Sequence, residues 1–91
     1  MNKVISIDIS EVKTQRQMVM YHLQKDSYIT SIEAFRDYGI TRLSSIIHNL
    51  RKEGYEIVSI PITTTNRFGN AVVYSKYQYS KPNYLEQLDL F

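Results

Sequence analysis

The chain has 91 residues and a mass of 10.7 kDa, with 43% hydrophobic, 22% charged and 12% aromatic residues, which fits one small globular domain and excludes a large multi-lobed enzyme. A domain of this size buries only about 60 to 65% of its unfolded surface, so regular patterning has to define its core. The absence of cysteine removes disulfide frameworks, thiolate zinc sites and cysteine nucleophiles together, and leaves His22 and His48 as the only imidazoles. No apolar run approaches the roughly 20 residues that span a bilayer, and Met1 to Ser10 lacks a basic segment followed by a long apolar one. Neither export nor membrane anchoring is expected, and a reducing, cytoplasmic setting is.

The formal charge of +2 is small, but it is unevenly spread. From Ile40 to Lys81 the basic residues Arg42, Arg51, Lys52, Arg67, Lys76 and Lys81 face only Glu53 and Glu56, and the sign reverses at the end with Glu86 and Asp89.

In chain order, Val4 to Ile9 alternates, with Ile5, Ile7 and Ile9 on one side, and predicts a short N-terminal strand within an arm over residues 1–13. Thr14 followed by Gln17 fits a capping box and places a first helix from Thr14 to Lys25, with Met18, Val19 and Leu23 as its buried stripe and His22 as a packing residue at the margin. Thr30 and Glu33 repeat the box, with Ile29 and Ala34 as the two halves of a hydrophobic staple. A second helix therefore starts at Ser31, with Ile32, Phe35 and Tyr38 on its apolar side, and ends at Gly39. Thr41 is expected to cap a third helix, over about 41–53, whose buried stripe is Leu43, Ile46, Ile47 and Leu50; Arg51 and Lys52 complement the dipole of its last turn and Gly54 stops it.

Beyond Gly54 the composition becomes β-branched and aromatic, predicting strands from Tyr55 to Thr65 and from Ala71 to Tyr79 around the loop Asn66 to Asn70. Pro61 cannot donate to a ladder and argues for an edge position. The expected architecture is α+β, a winged helix-turn-helix over residues 14–81: three helices, a C-terminal β-hairpin wing and a short N-terminal strand, with a tail over residues 82–91.

At about 100° per residue, the stripe of the third helix leaves Ser44, Ser45, His48 and Lys52 on the opposite side, flanked by Arg42, Asn49 and Arg51. This hydroxylic and cationic face suits the major groove of double-stranded DNA, with Arg51 and Lys52 placed for phosphates. An ordinary solvated helix face has the same appearance. Arg67 at the wing tip, beside Phe68, and Lys76 on the return strand add charge where a wing reaches the backbone or minor groove. The tyrosines Tyr74, Tyr77 and Tyr79 serve either a homodimer interface or core packing. There is no glycine-rich phosphate loop, no ligand spacing for a metal and no recognisable catalytic pair, so neither an enzyme nor a cofactor is expected.

The stretch ITSIEAFRDYGITRLSSIIHNLRKEGYEI, residues 29–57, resembles the short helix-turn-helix proteins common in phages and prophages, through its threonine, glutamate-alanine, GITRL, a further isoleucine, LRKEG and a closing isoleucine. TQRQ at Thr14 to Gln17 is similar to the start of that family's first helix. The resemblance implies a DNA-binding winged helix with recognition positions at Arg42, Ser44, Ser45, His48 and Asn49, in a phage or mobile-element regulator or replication accessory protein. A small phage inhibitor of a host protein is the alternative, favoured by the modest net charge.

The last five residues, Gln87, Leu88, Asp89, Leu90 and Phe91, resemble the peptide by which bacterial replication and repair proteins dock on the DNA sliding clamp, with three apolar anchors and an orienting amide. The spacing of Tyr84, Leu85, Leu88 and Phe91 equally fits a short amphipathic helix that folds back on the domain or pairs two copies.

Overall fold

The computed structural model describes residues 3–80; the clamp-like motif at Gln87 to Phe91 lies outside them. Three helices, α1 (Gln15–Asp26), α2 (Ser31–Tyr38) and α3 (Leu43–Lys52), are combined with strands β1 (Tyr28–Thr30), β2 (Ile57–Thr65) and β3 (Ala71–Tyr79). The sheet is antiparallel in the order β1-β3-β2, so β2 is an edge strand and tolerates Pro61.

Local chemistry accounts for the helix starts that the capping boxes predict. The Thr14 hydroxyl accepts from the Gln17 amide at 3.2 Å while the Gln17 side chain accepts from the Thr14 N–H at 3.0 Å, and Thr30 and Glu33 exchange the same pair of bonds at 3.2 and 3.1 Å. Both halves of the staple, Ile29 and Ala34, are fully buried. Gly39 takes the left-handed conformation that ends α2, with φ +69°, and its N–H reaches the Phe35 carbonyl at 2.9 Å. The core gathers Val19, Leu23, Ile29, Ile40, Ile47 and Leu50, with the whole predicted stripe of α3, between the helices and the inner face of the sheet.

Four expectations are corrected. Val4 to Ile9 is not a strand: Ile5 is buried, but its N–H donates to the Tyr79 hydroxyl at 2.9 Å, and Ile7 is matched by the Gln24 side chain through bonds of 2.7 and 2.9 Å. Side chains replace the partner backbone, so the arm is extended without a ladder, and Ile9 enters a 3-10 turn (Ile9–Glu11) with its side chain exposed. The third strand of the sheet is instead β1, inserted between α1 and α2, where Ile29 pairs with Tyr77.

The apolar side expected for α2 is also wrong at two of its three positions, since of Ile32, Phe35 and Tyr38 only Tyr38 packs against the core. Ile32 and Phe35 are each 63% exposed, and Ala34 is the buried residue of that helix, because Ile29 before it and Ile40 after it fill the space that larger side chains would have taken. In α1, Met20 is buried and Met18 only half-buried. Finally, Thr41 does not cap α3. Arg42 stands at the cap position with no side-chain bond to the first turn, since burial of both Ile40 and Leu43 sets the register of the short connection before a hydroxyl can.

Candidate nucleic-acid interface

The stripe of α3 anchors the helix, so the opposite side is solvent-facing by construction. Leu43, Ile46, Ile47 and Leu50 are buried, and Arg42, Ser44, Ser45, His48, Asn49 and Lys52 are all exposed on the remaining circumference. The helix itself carries no acidic residue, and the first one after it, Glu53, is held by a two-pronged contact with the Arg16 guanidinium, one prong of which is an Nε to Oε2 bond of 3.2 Å. This fork ties the start of α1 to the end of α3 and pairs the carboxylate nearest in sequence to the helix's cations.

Arg51 behaves differently from its neighbour Lys52. Its Nε donates to the Ile57 carbonyl at 2.7 Å, its Nη2 donates to the Ser59 hydroxyl at 2.8 Å, and its guanidinium lies 5.9 Å from the centre of the Tyr77 ring. It brackets α3 to the base of the wing, with Nε and Nη2 engaged within the chain while the side chain stays exposed.

The wing extends well beyond the core. From the Ile57 to Tyr79 pair the register runs without interruption to Thr65 and Ala71. Its tip is organised by Asn66, whose side-chain oxygen accepts from the Phe68 and Asn70 N–H groups at 2.9 and 3.0 Å; Gly69, with φ +83°, donates to the Asn66 carbonyl at 3.0 Å. Arg67 is exposed there, and Phe68 is 84% exposed.

The alternation of β3 separates residues that look equivalent in sequence. Tyr79 and Tyr77 point to the core, whereas Tyr74 and Lys76 occupy the outer face, where the Lys76 ammonium sits 4.2 Å from the centre of the Tyr28 ring. The fold thus groups Arg42, Ser44, Ser45, His48, Asn49 and Lys52 on α3, places Arg67 at the end of the wing, and puts Lys76 across the sheet from them. The feature that sequence reading passed over as a mere neighbour of Arg67 is Phe68; an aromatic among turn formers, with no apolar residue two positions away to share its burial, was the available signal.

His22 of α1 is buried against α2. Its Nδ1 is 2.7 Å from the Tyr38 hydroxyl, and its Nε2 has Asp26 at 3.5 Å and Glu33 at 3.7 Å. Burial holds the Tyr38 hydroxyl above the usual phenol range, aided by the carboxylates of Asp37, Asp26 and Glu33. A hydrogen bond from Arg36 keeps the Asp37 carboxyl below its ordinary value, so the end of α2 contributes a neutralised pair. Among the described residues no three histidine or carboxylate side chains are placed to hold a metal ion, and no helix is long and apolar enough to cross a membrane.

No curated protein and no solved structure matches the chain. The family model described as Winged helix-turn-helix domain does match it, over residues 14–81, from the Thr14 cap through the whole wing. With three helices, the glycine turn and the two-stranded wing all within that span, the chain belongs to the winged helix-turn-helix domain family, a DNA-binding fold.

Proposed function

We propose that this chain is a DNA-binding regulator or replication accessory protein of a phage or mobile element, acting in the cytoplasm of a bacterial host and reading the major groove with α3. The observation that carries the reading is the exposed, acid-free side of that helix. Ser44, Ser45, His48 and Asn49 offer hydroxyl, imidazole and amide groups to base edges, while Arg42, Lys52 and Arg67 have no ion-pair partner among the described residues and are left for phosphates. One winged helix reads a short site, so a second copy supplies the missing discrimination. Its seat is the outer face of the sheet, where Tyr28, Val58 and Val72 are exposed beside Ile60, Ile62 and Tyr74, and where Ile32 of α2 shares a groove with Tyr28, Ile62 and Tyr74. The tail motif Gln87 to Phe91 then docks the protein on the sliding clamp, bringing it to replicating DNA.

Salt tests the central claim. Each neutralised phosphate releases counterions, so three free cations give a slope of about −3 in log affinity against log salt per protomer, and replacing Arg42 and Lys52 together by alanine removes about two of those units. Affinity for DNA that does not move with salt, or a double variant with an unchanged slope, overturns the reading and leaves the alternative of an inhibitor that binds a host protein.

A further inference from the structure

Phe68 is the most exposed of the large apolar side chains described, at 84%, above Ile9 at 66% and Val73 at 64%. Leaving a phenylalanine in water forfeits about 2 kcal/mol relative to burying it. The turn does not require it: Asn66 grips only the backbone N–H of residue 68, a group every residue except proline possesses, and Gly69 supplies the left-handed conformation. Nor is the loop loose. Asn66 and Asn70 close it through a backbone bond of 2.9 Å, and the Asn66 side chain adds two more, so the ring is displayed on a preorganised tip.

The display has a length and a charge. Arg51 fixes α3 to the ribbon at Ser59, and six residues of extended chain from Ser59 to Thr65 carry the tip roughly 20 Å further at ~3.3 Å per residue. That reach is close to the half turn, about 17 Å, between a major groove and the adjoining minor groove on the same side of a duplex. From Ile57 to Ser80 there is no acidic residue, and the tip carries Arg67.

Building on the proposed DNA-binding role, we infer that Phe68 is an apolar wedge that enters the minor groove beside the α3 site and inserts between adjacent base pairs, kinking the duplex. The ring replaces part of one base stack and bends the duplex toward the major groove, and Arg67 beside it pairs with a phosphate flanking the opened minor groove. Pyrimidine–purine steps unstack most easily, so the wing selects a TA or CA step at a fixed spacing from the bases read by α3, without a hydrogen bond to either base pair. Specificity is thus divided between two grooves.

The chain contains no tryptophan, so Phe68→Trp introduces a single indole reporter at the tip. The probe is a duplex selected from a random-sequence pool by binding to the wild-type chain. Insertion quenches the indole emission by about twofold or more as the ring stacks on bases, and Phe68→Ala weakens binding by about five- to tenfold, within the range for loss of one stacked aromatic. Fluorescence transfer between the labelled ends of the duplex reports the bend, which Phe68→Ala abolishes and Phe68→Leu partly retains. Unchanged emission, with alanine keeping both affinity and bend while the salt dependence persists, overturns the wedge and leaves the α3 reading standing. Loss of self-association by Phe68→Ala in sedimentation velocity, with DNA affinity intact, assigns the ring to a protein contact and equally overturns it. Absence of any DNA binding by the wild-type chain at low salt removes the underlying function, and the wedge with it.

Discussion

Arg51 and Lys52 are consecutive residues with the same charge, both within the last turn of α3, and the fold gives them opposite duties. Arg51 satisfies the Ile57 carbonyl and the Ser59 hydroxyl, whereas Lys52 is exposed with no ion-pair partner among the described residues. The difference lies in the chemistry of the side chains as well as their direction, because a planar guanidinium can hold two acceptors at once and an ammonium is a point charge. Arg51→Ala is therefore expected to lower unfolding stability by about 1–2 kcal/mol, through loss of charge-assisted bonds and a stranded carbonyl, with the salt slope of DNA binding unchanged. Lys52→Ala should do the reverse, leaving stability within about 0.5 kcal/mol of wild type and reducing the salt slope by about one. Urea denaturation and salt titration of the two variants check the pair, and equal effects on both readouts sink the distinction. Helical periodicity alone could place Arg51 only as a flank of the exposed face, since its acceptors lie beyond the Gly54 turn and come within reach only when β2 folds back along α3.

At the scale of single elements, the helix-turn-helix shows which signals are local. The Thr30 and Glu33 box, the Ile29 and Ala34 staple and the Gly39 stop act over a few residues, and each stands where the pattern puts it. A side chain added at Gly39 meets no atom within 4 Å, so the penalty for filling that position is conformational alone. Gly39→Ala should cost about 1 kcal/mol or slightly more, because φ +69° is poorly tolerated by a Cβ, and Gly39→Asn should cost less. Thermal unfolding of the two variants measures this, and an alanine variant as stable as wild type contradicts the left-handed turn. The apolar face of α2 misled for a corresponding reason: periodicity says which residues share a side, but whether that side meets the core depends on what else fills the space. Ile29 and Ile40 fill it here, and Ile32 and Phe35 remain outside. The arm at Val4 to Ile9 has the alternation of a strand, yet Gln24 and the Tyr79 hydroxyl occupy the positions of a neighbouring backbone.

For the molecule as a whole, the sheet sorts the surface. The inner face of β3 carries Tyr77 and Tyr79 into the core, and its outer face carries Tyr74 and Lys76 away from α3, so an even-looking run of tyrosines is split between packing and surface. The proposed DNA contact and the proposed clamp docking then fall on separate parts of the sequence, α3 with the wing tip and the tail respectively. Deleting Gln87 to Phe91 should abolish capture by immobilised sliding clamp and leave the affinity and salt slope for DNA unaltered, as judged by pull-down and gel-shift titration on the same preparation. Capture that survives the deletion eliminates clamp docking by this motif; a fall in DNA affinity instead favours a tail that packs on the domain or pairs two copies.

Most of the secondary structure and the polarity of α3 could be read from residue order, because caps, helical stripes and turn glycines act between neighbours a few positions apart and carry their physical cause with them. The whole stripe Leu43, Ile46, Ile47 and Leu50 is buried, and the side it leaves open is the one its spacing marks. What required the assembled chain was the allocation of contacts across long separations: β1 joining β3 at the sheet edge, Arg16 holding Glu53, Arg51 turned to Ile57, and Phe68 held out on the end of a ribbon. Those outcomes depend on which surfaces compete for the same space and the same acceptors, and that competition exists only once distant segments have been brought together.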